Sequence, residues 1–196
     1  AKGIYNYCQT IFNLPCSLVT PITISVIPTV TAALTTKNLV GARHTEESAV
    51  RTMAIITMPC AVGLAVLAEP IIRLLARNYG AASIATATPI LIYLGIAVIF
   101  NSTVLLFNSI MQAHGDVTTP VINMLIGGVV KVIVNYILVA IPSLNIIGAA
   151  IGTVICYATI TALDVIAMRK RVTTHPAILR NMVRPFGAAV GMGALT

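Results

Sequence analysis

Apolar runs, each long enough to cross a bilayer as a helix, alternate along this chain with short polar stretches. No Asp, Glu, Lys or Arg occurs between Gly3 and Thr36, which predicts a first span over about 5–34. Its three prolines, Pro15, Pro21 and Pro28, would break a soluble helix. A membrane helix tolerates them where neighbours or cavities take up the freed carbonyls. The polar segment 36–51, with Lys37, Arg43, His44, Glu46 and Glu47, reads as a loop followed by a helix start. A second span is expected over 52–75, interrupted only by Glu69 and Arg73 near its end. A third, 83–113, lies in the stretch from Asn78 to Gly115, after which Asp116 and Pro120 mark a tight turn. The fourth, 119–141, contains a single charge, Lys131. Pro142, Ser143, Leu144 and Asn145 make a short connection to a fifth span over 146–168. A basic segment, 169–184, precedes an apolar stretch from Pro185 that is too short to cross, so a truncated sixth span is expected there. The pattern predicts an all-α, polytopic transmembrane bundle, and a chain that is part of a longer one.

Composition agrees with that reading. Hydrophobic residues make up 58% of the 196 and charged residues only 9%, too few to cover a soluble surface of this size. The net charge of +7 would otherwise point to nucleic acid, but the cations fall in the gaps between apolar runs and there is no Trp for base stacking. Nucleic-acid binding is excluded on that ground. Charge instead orients the chain. Lys37, Arg43, Arg51, Arg169, Lys170, Arg171, Arg180 and Arg184 fall on one side, against Lys2, Arg73 and Arg77 on the other. The positive-inside rule then places the loops 36–51 and 169–184 in the cytoplasm. The four cysteines lie inside apolar runs at spacings that fit neither a zinc nor a redox motif.

Polar residues inside the spans are the candidates for function. Asn123, Gly127, Lys131 and Asn135 recur every four residues and form one stripe on the fourth helix. An ammonium facing lipid at mid-span costs at least about 2.5 kcal/mol. Lys131 therefore either lines a hydrated cavity, where it can hold an anionic group such as phosphate, or pairs with a carboxylate or carbonyls between packed helices. Asn101, Asn108 and Gln112 share a face of the third helix, a pattern typical of interhelical hydrogen bonding. Thr153, Tyr157, Thr161 and Asp164 share a face of the fifth; Asp164 sits near its cytoplasmic end. Gln9, Asn13 and Ser17 line a face of the first. Gly127, Gly128, Gly148 and Gly152 suit close helix approach. The sequence holds no paired intramembrane acids, no nucleophile with a suitably spaced histidine, no metal-ligand cluster and no phosphate-binding glycine loop. Neither a catalytic residue nor a cofactor is assigned.

Four segments carry a family resemblance. Pro59–Leu75 (PCAVGLAVLAEPIIRLL) resembles the ninth-helix motif of polysaccharide-export and sporulation-type flippases, and Met111–Pro120 (MQAHGDVTTP) the turn after their tenth helix. Ile126–Leu138 with Ile147–Thr153 resembles the next hairpin, and Ser25–Thr31 with Arg51 completes the series in register. The chain thus resembles stage V sporulation protein B and the polysaccharide-biosynthesis flippases, within the superfamily of multidrug, oligosaccharidyl-lipid and polysaccharide exporters. The resemblance implies two six-helix lobes around a central cavity that work by alternating access, with this chain most of the second lobe. Arg77, Asn78, Tyr79 and Gly80 depart from the family's turn after the ninth helix.

The expectation is a non-enzymatic, multi-pass transporter of the cell membrane, working with the N-terminal half of the same protein. Its substrate would be a lipid-linked, anionic oligosaccharide or peptidoglycan precursor. Lys131 would hold a phosphate, while Asn101, Asn108 and Asn135 would contact sugar or peptide, in a cavity that Asn123, Gln112 and Asp164 also line. An ion-coupled drug exporter and a non-transporting scaffold for cell-wall enzymes are the alternatives.

Overall fold

The computed structural model describes residues 2–75, 81–140, 145–172 and 174. Six helices follow in order: α1 Lys2–Thr35, α2 Leu39–Val66, α3 Ala68–Leu75, α4 Ala81–Ala113, α5 Thr118–Val139 and α6 Asn145–Arg171. No strand occurs among the described residues, and five of the helices are long and apolar enough to cross a membrane. The unusual turn at Arg77–Gly80, the connection Pro142–Leu144 and the apolar stretch from Pro185 lie outside the described residues.

Two boundaries differ from the pattern reading. The polar stretch before Thr52 is helical from Leu39 onward, because Asn38 accepts a hydrogen bond from the backbone N–H of Gly41 and so starts α2. The expected boundary near Thr52 marks where the helix turns apolar, not where it begins. At its far end α2 stops at Val66, and Ala68–Leu75 form the separate, short α3. There Glu69 and Arg73 pair one turn apart at 2.6 Å on an exposed face. The α1–α2 link is equally tight. The backbone N–H groups of Lys37 and Asn38 donate back to Leu34 and Ala33, and Lys37 adopts φ 57° to allow it.

Apolar burial centres on α4, which packs against α1, α2, α3 and α6. One core joins Phe12 and Cys16 of α1 with Ile72 of α3 and Leu91 and Leu94 of α4. A second, towards the other end, joins Val26 and Val30 of α1, Val50 and Met53 of α2, Phe107 and Met111 of α4 and Met168 of α6. The outlying helix is α5, which packs almost entirely on α6 and buries only Pro120, Asn123 and Gly127. Small residues make these approaches possible. A side chain at Gly95 would meet the carbonyl of Ala61 at 3.0 Å, one at Gly148 the backbone of Leu138, and one at Gly127 the side chain of Ile160.

The helix ends at the basic side are tied by polar contacts between residues distant in sequence. Glu46 is fully buried; its Oε1 lies 2.8 Å from His114 Nε2, and its Oε2 accepts a hydrogen bond from Thr174 at 2.5 Å. These contacts join the start of α2, the end of α4 and the residues after α6. Beside them Gly115, at φ 84°, ends α4. Asp116 accepts from the backbone N–H and hydroxyl of Thr119 at the start of α5, and lies 3.4 Å from Arg171. The Thr119 bonds and the Arg171 charge hold the Asp116 carboxyl below the usual carboxylate range. It therefore stabilises the fold above that range, and the contribution is lost as pH falls through the depressed value.

Two measurements follow from this packing. In detergent, Gly95→Val is expected to lower stability by about 1–3 kcal/mol through overpacking, whereas Gly63→Ala, which faces open space, costs nothing measurable. Glu46→Ala, which leaves His114 and Thr174 without their shared acceptor, is expected to cost about 1–3 kcal/mol. Glu69→Ala, at an exposed pair, leaves the melting temperature nearly unchanged.

Candidate functional site

Two polar surfaces run through the apolar layer, and they differ in whether they are open. The first is the outward face of α1. Asn6, Thr10, Asn13, Ser17, Thr20, Ser25 and Thr29 fall at helical spacing and are all exposed. Their hydroxyls donate to carbonyls of the preceding turn, as Thr10 to Asn6, Ser17 to Leu14 and Thr29 to Ser25, which leaves the oxygen lone pairs free to accept. Asn13 makes no hydrogen bond among the described residues, so its amide has both donors and acceptor to offer. Against hydrocarbon such an amide is costly, so this face suits a polar partner, whether water, ligand or further protein. Gln9, on the flank, is half-buried with its carbonyl oxygen unpartnered.

Towards the basic end the stripe opens into a groove of about 260 Å³ between α1 and α2. Ser25, Thr29, Thr45, Ser48, Thr52 and His44 line it. The groove thus offers hydroxyls and one imidazole at the mouth of the polar face, a suitable set for oxygen-rich groups.

The second surface is closed. Asn123, Gly127 and Asn135 of α5 face α6: Asn123 Nδ2 donates to Asp164 Oδ1 at 2.8 Å, Gly127 abuts Ile160, and Asn135 abuts Gly152. Asp164 is fully buried and its Oδ2 has no hydrogen-bond partner; the same holds for the buried Oδ1 of Asn135. Lys131, on the same stripe, is half-buried within electrostatic range of Cys156 on α6. Among the described residues no carboxylate lies within ion-pair distance of it. The α4 residues bridge as well. Asn101 Nδ2 meets Cys16 Sγ of α1 at 3.0 Å, and Asn108 Nδ2 meets Met124 Sδ of α5 at 3.6 Å. Gln112 is exposed.

The structure thus pairs Asn123 with Asp164 across the α5–α6 contact and sets Asn108 against Met124 of α5, away from the open α1 face. Periodicity alone pointed to the α5 stripe as the sharpest feature. It identified which residues share a face, but not which neighbour that face meets. The wider α1 face was visible only as Gln9, Asn13 and Ser17, because the threonines and serines beyond Pro21 are common in apolar helices. Glu46 and His114 gave no sequence signal: both sit in polar stretches that read as solvent-facing ends.

A profile of the lipid II flippase MurJ family matches residues 1–193. Among solved structures, one described as the inward-facing conformation of a multidrug resistance MATE family transporter of the MOP superfamily superposes with a TM-score of 0.70. The alignment covers 99% of this chain and 49% of that one at 14% identity, which shows a shared fold. The chain therefore spans about half the length of that transporter. No curated protein matches. The five apolar helices, their packing about α4 and the profile match over nearly all residues lead to one conclusion: this is a multi-pass integral membrane protein that belongs to the lipid II flippase MurJ family.

Proposed function

We propose that the chain is one lobe of a non-enzymatic flippase that moves a lipid-linked, phosphate-bearing saccharide across the cytoplasmic membrane by alternating access. The observation that carries the reading is the exposed polar face of α1, a stripe of hydroxyls and amides left open within an apolar layer. Membership of the lipid II flippase MurJ family supports a peptidoglycan precursor as the substrate. The resemblance of the α4–α5 turn and the α5–α6 hairpin to sporulation-type and polysaccharide-exporting flippases extends the class to lipid-linked oligosaccharides. In this reading the N-terminal half of the protein closes the cavity over α1. The loops 36–51 and 169–184 face the cytoplasm, and the α1–α2 groove lies at the cytoplasmic mouth.

Within the lobe, Lys131 holds a phosphate at mid-membrane; its half-burial and its lack of a carboxylate partner among the described residues support the role. Asn135 beside it, with Asn101, Asn108 and Gln112 of α4, contributes polar contacts as the lobe rearranges. Expulsion of cationic drugs fits less well, because the acids that face outward, Glu47 and Glu69, are each engaged by an arginine one turn away.

The test is flipping by the full-length protein in vesicles, with a peptidoglycan lipid precursor and a second lipid-linked oligosaccharide as substrates. A hydrogen bond to a charged group contributes about 1.5–3 kcal/mol. Lys131→Met is therefore expected to lower flipping about tenfold or more, and Lys131→Arg to retain much of it. Undiminished flipping of both substrates by Lys131→Met contradicts the phosphate role. A rate that differs strongly between the two lipids identifies the preferred class.

A further inference from the structure

We propose that Asp164, held by Asn123, is an exchangeable proton-binding site inside the lobe. Asp164 has no exposed surface, and among the described residues no cation lies within ion-pair distance of it. One of its oxygens, Oδ1, accepts from Asn123 Nδ2 at 2.8 Å; the other, Oδ2, is buried and accepts nothing. An ionised carboxylate enclosed in this way, with one neutral hydrogen bond and no counter-charge, is the costliest form of a buried polar group. One positive charge delivered to Oδ2 removes that cost.

The donor set selects a proton over a metal cation. Sites for hard cations gather six or more oxygens, or an octahedral shell. Here the hydrogen-bonded pair of Asp164 and Asn123 offers the oxygens of one carboxylate and one side-chain amide. Among the described residues no group of three His, Cys, Asp or Glu gathers into a metal-binding set. A proton needs one lone pair, and Oδ2 supplies it. Binding turns the carboxylate into a neutral carboxylic acid whose new O–H is a donor. Asn108 carries a buried amide oxygen that lacks a donor, and its Nδ2 contacts Met124, the residue after Asn123. That orphan acceptor lies on α4, which packs directly against α6.

The charges around the cluster leave this logic intact. On α5 the nearest is Lys131, two turns from Asn123 along the stripe. On α4 it is His114, beyond the helix end and engaged by Glu46. On α6 itself Arg169, Lys170 and Arg171 begin more than a turn later and are exposed. Access is supplied by α5, which buries only three residues and meets α4 through little more than the Met124 contact. A small separation of α5 from α6 opens Asp164 without disturbing the core around α4.

The experiment is infrared spectroscopy of the full-length protein in lipid, reading the carbonyl stretch of protonated carboxylic acids. A band is expected at neutral pH that Asp164→Asn removes and that shifts in heavy water. Asp164→Glu serves as the second variant and is expected to retain a displaced band, separating loss of the acid from loss of the fold. A spectrum that Asp164→Asn leaves unchanged at neutral pH overturns the proposal. So does a band that sodium or potassium abolishes at constant pH, which identifies a metal cation, or one that never exchanges, which identifies a sealed structural acid. The readout does not involve transport, so its failure is distinct from failure of the flippase reading.

Discussion

Every polar group carried into hydrocarbon must find a partner, and this requirement organises the whole lobe. Helices satisfy the backbone internally, which is why the spans are helical despite prolines and β-branched residues that would weaken them in water. Side-chain amides, acids and the lone lysine then have two resorts, to pack against one another or to face water. The α5–α6 seam takes the first and the outer face of α1 takes the second. At the basic end the same rule draws Glu46, His114 and Thr174 into one buried cluster, binding three helix ends that the chain itself leaves far apart.

Much of this was legible in the chain, because run length and charge placement depend on the membrane rather than on tertiary detail. The apolar runs around α1, α4, α5 and α6 stand out by length, and Asp116 with Pro120 marks the α4–α5 turn that the Thr119 bonds complete. What escaped was set by contacts between distant residues. The polar first turns of α2 looked like loop because Glu46 and Arg43 read as solvated, whereas Glu46 is sealed by partners 68 and 128 residues away. The small-residue positions were clear, yet only packing reveals that Gly127 and Gly152 serve one interface, α5 on α6. Spacing could align Asn123 with Lys131, but it could not say that Asn123 meets Asp164 while Lys131 meets no acid among the described residues.

The contrast between the two polar surfaces gives the lobe its functional shape. A rigid centre, α4 between two apolar cores, holds α1 so that its hydroxyls and the free amide of Asn13 stay outward. On the far side α5, the outlying helix, packs on α6 and covers a buried acid. A lobe built in this way can present a wetted track to a polar headgroup on one side while its other side adjusts through a single helix. The apolar outer face of α5, with Val129, Val132 and Ile137 exposed, suits contact with lipid.

The arrangement on which the rest depends is that the polar face of α1 meets water within the membrane while the apolar outer face of α5 meets lipid. It is tested most directly by thiol accessibility in the full-length protein with its native cysteines replaced. Ser17→Cys and Val132→Cys variants are treated in intact membranes with a water-soluble, membrane-impermeant maleimide. Rapid labelling is expected at position 17 and none at position 132, although both side chains are exposed on the isolated lobe. Equal inertness at both positions, or labelling at 132 alone, would contradict it.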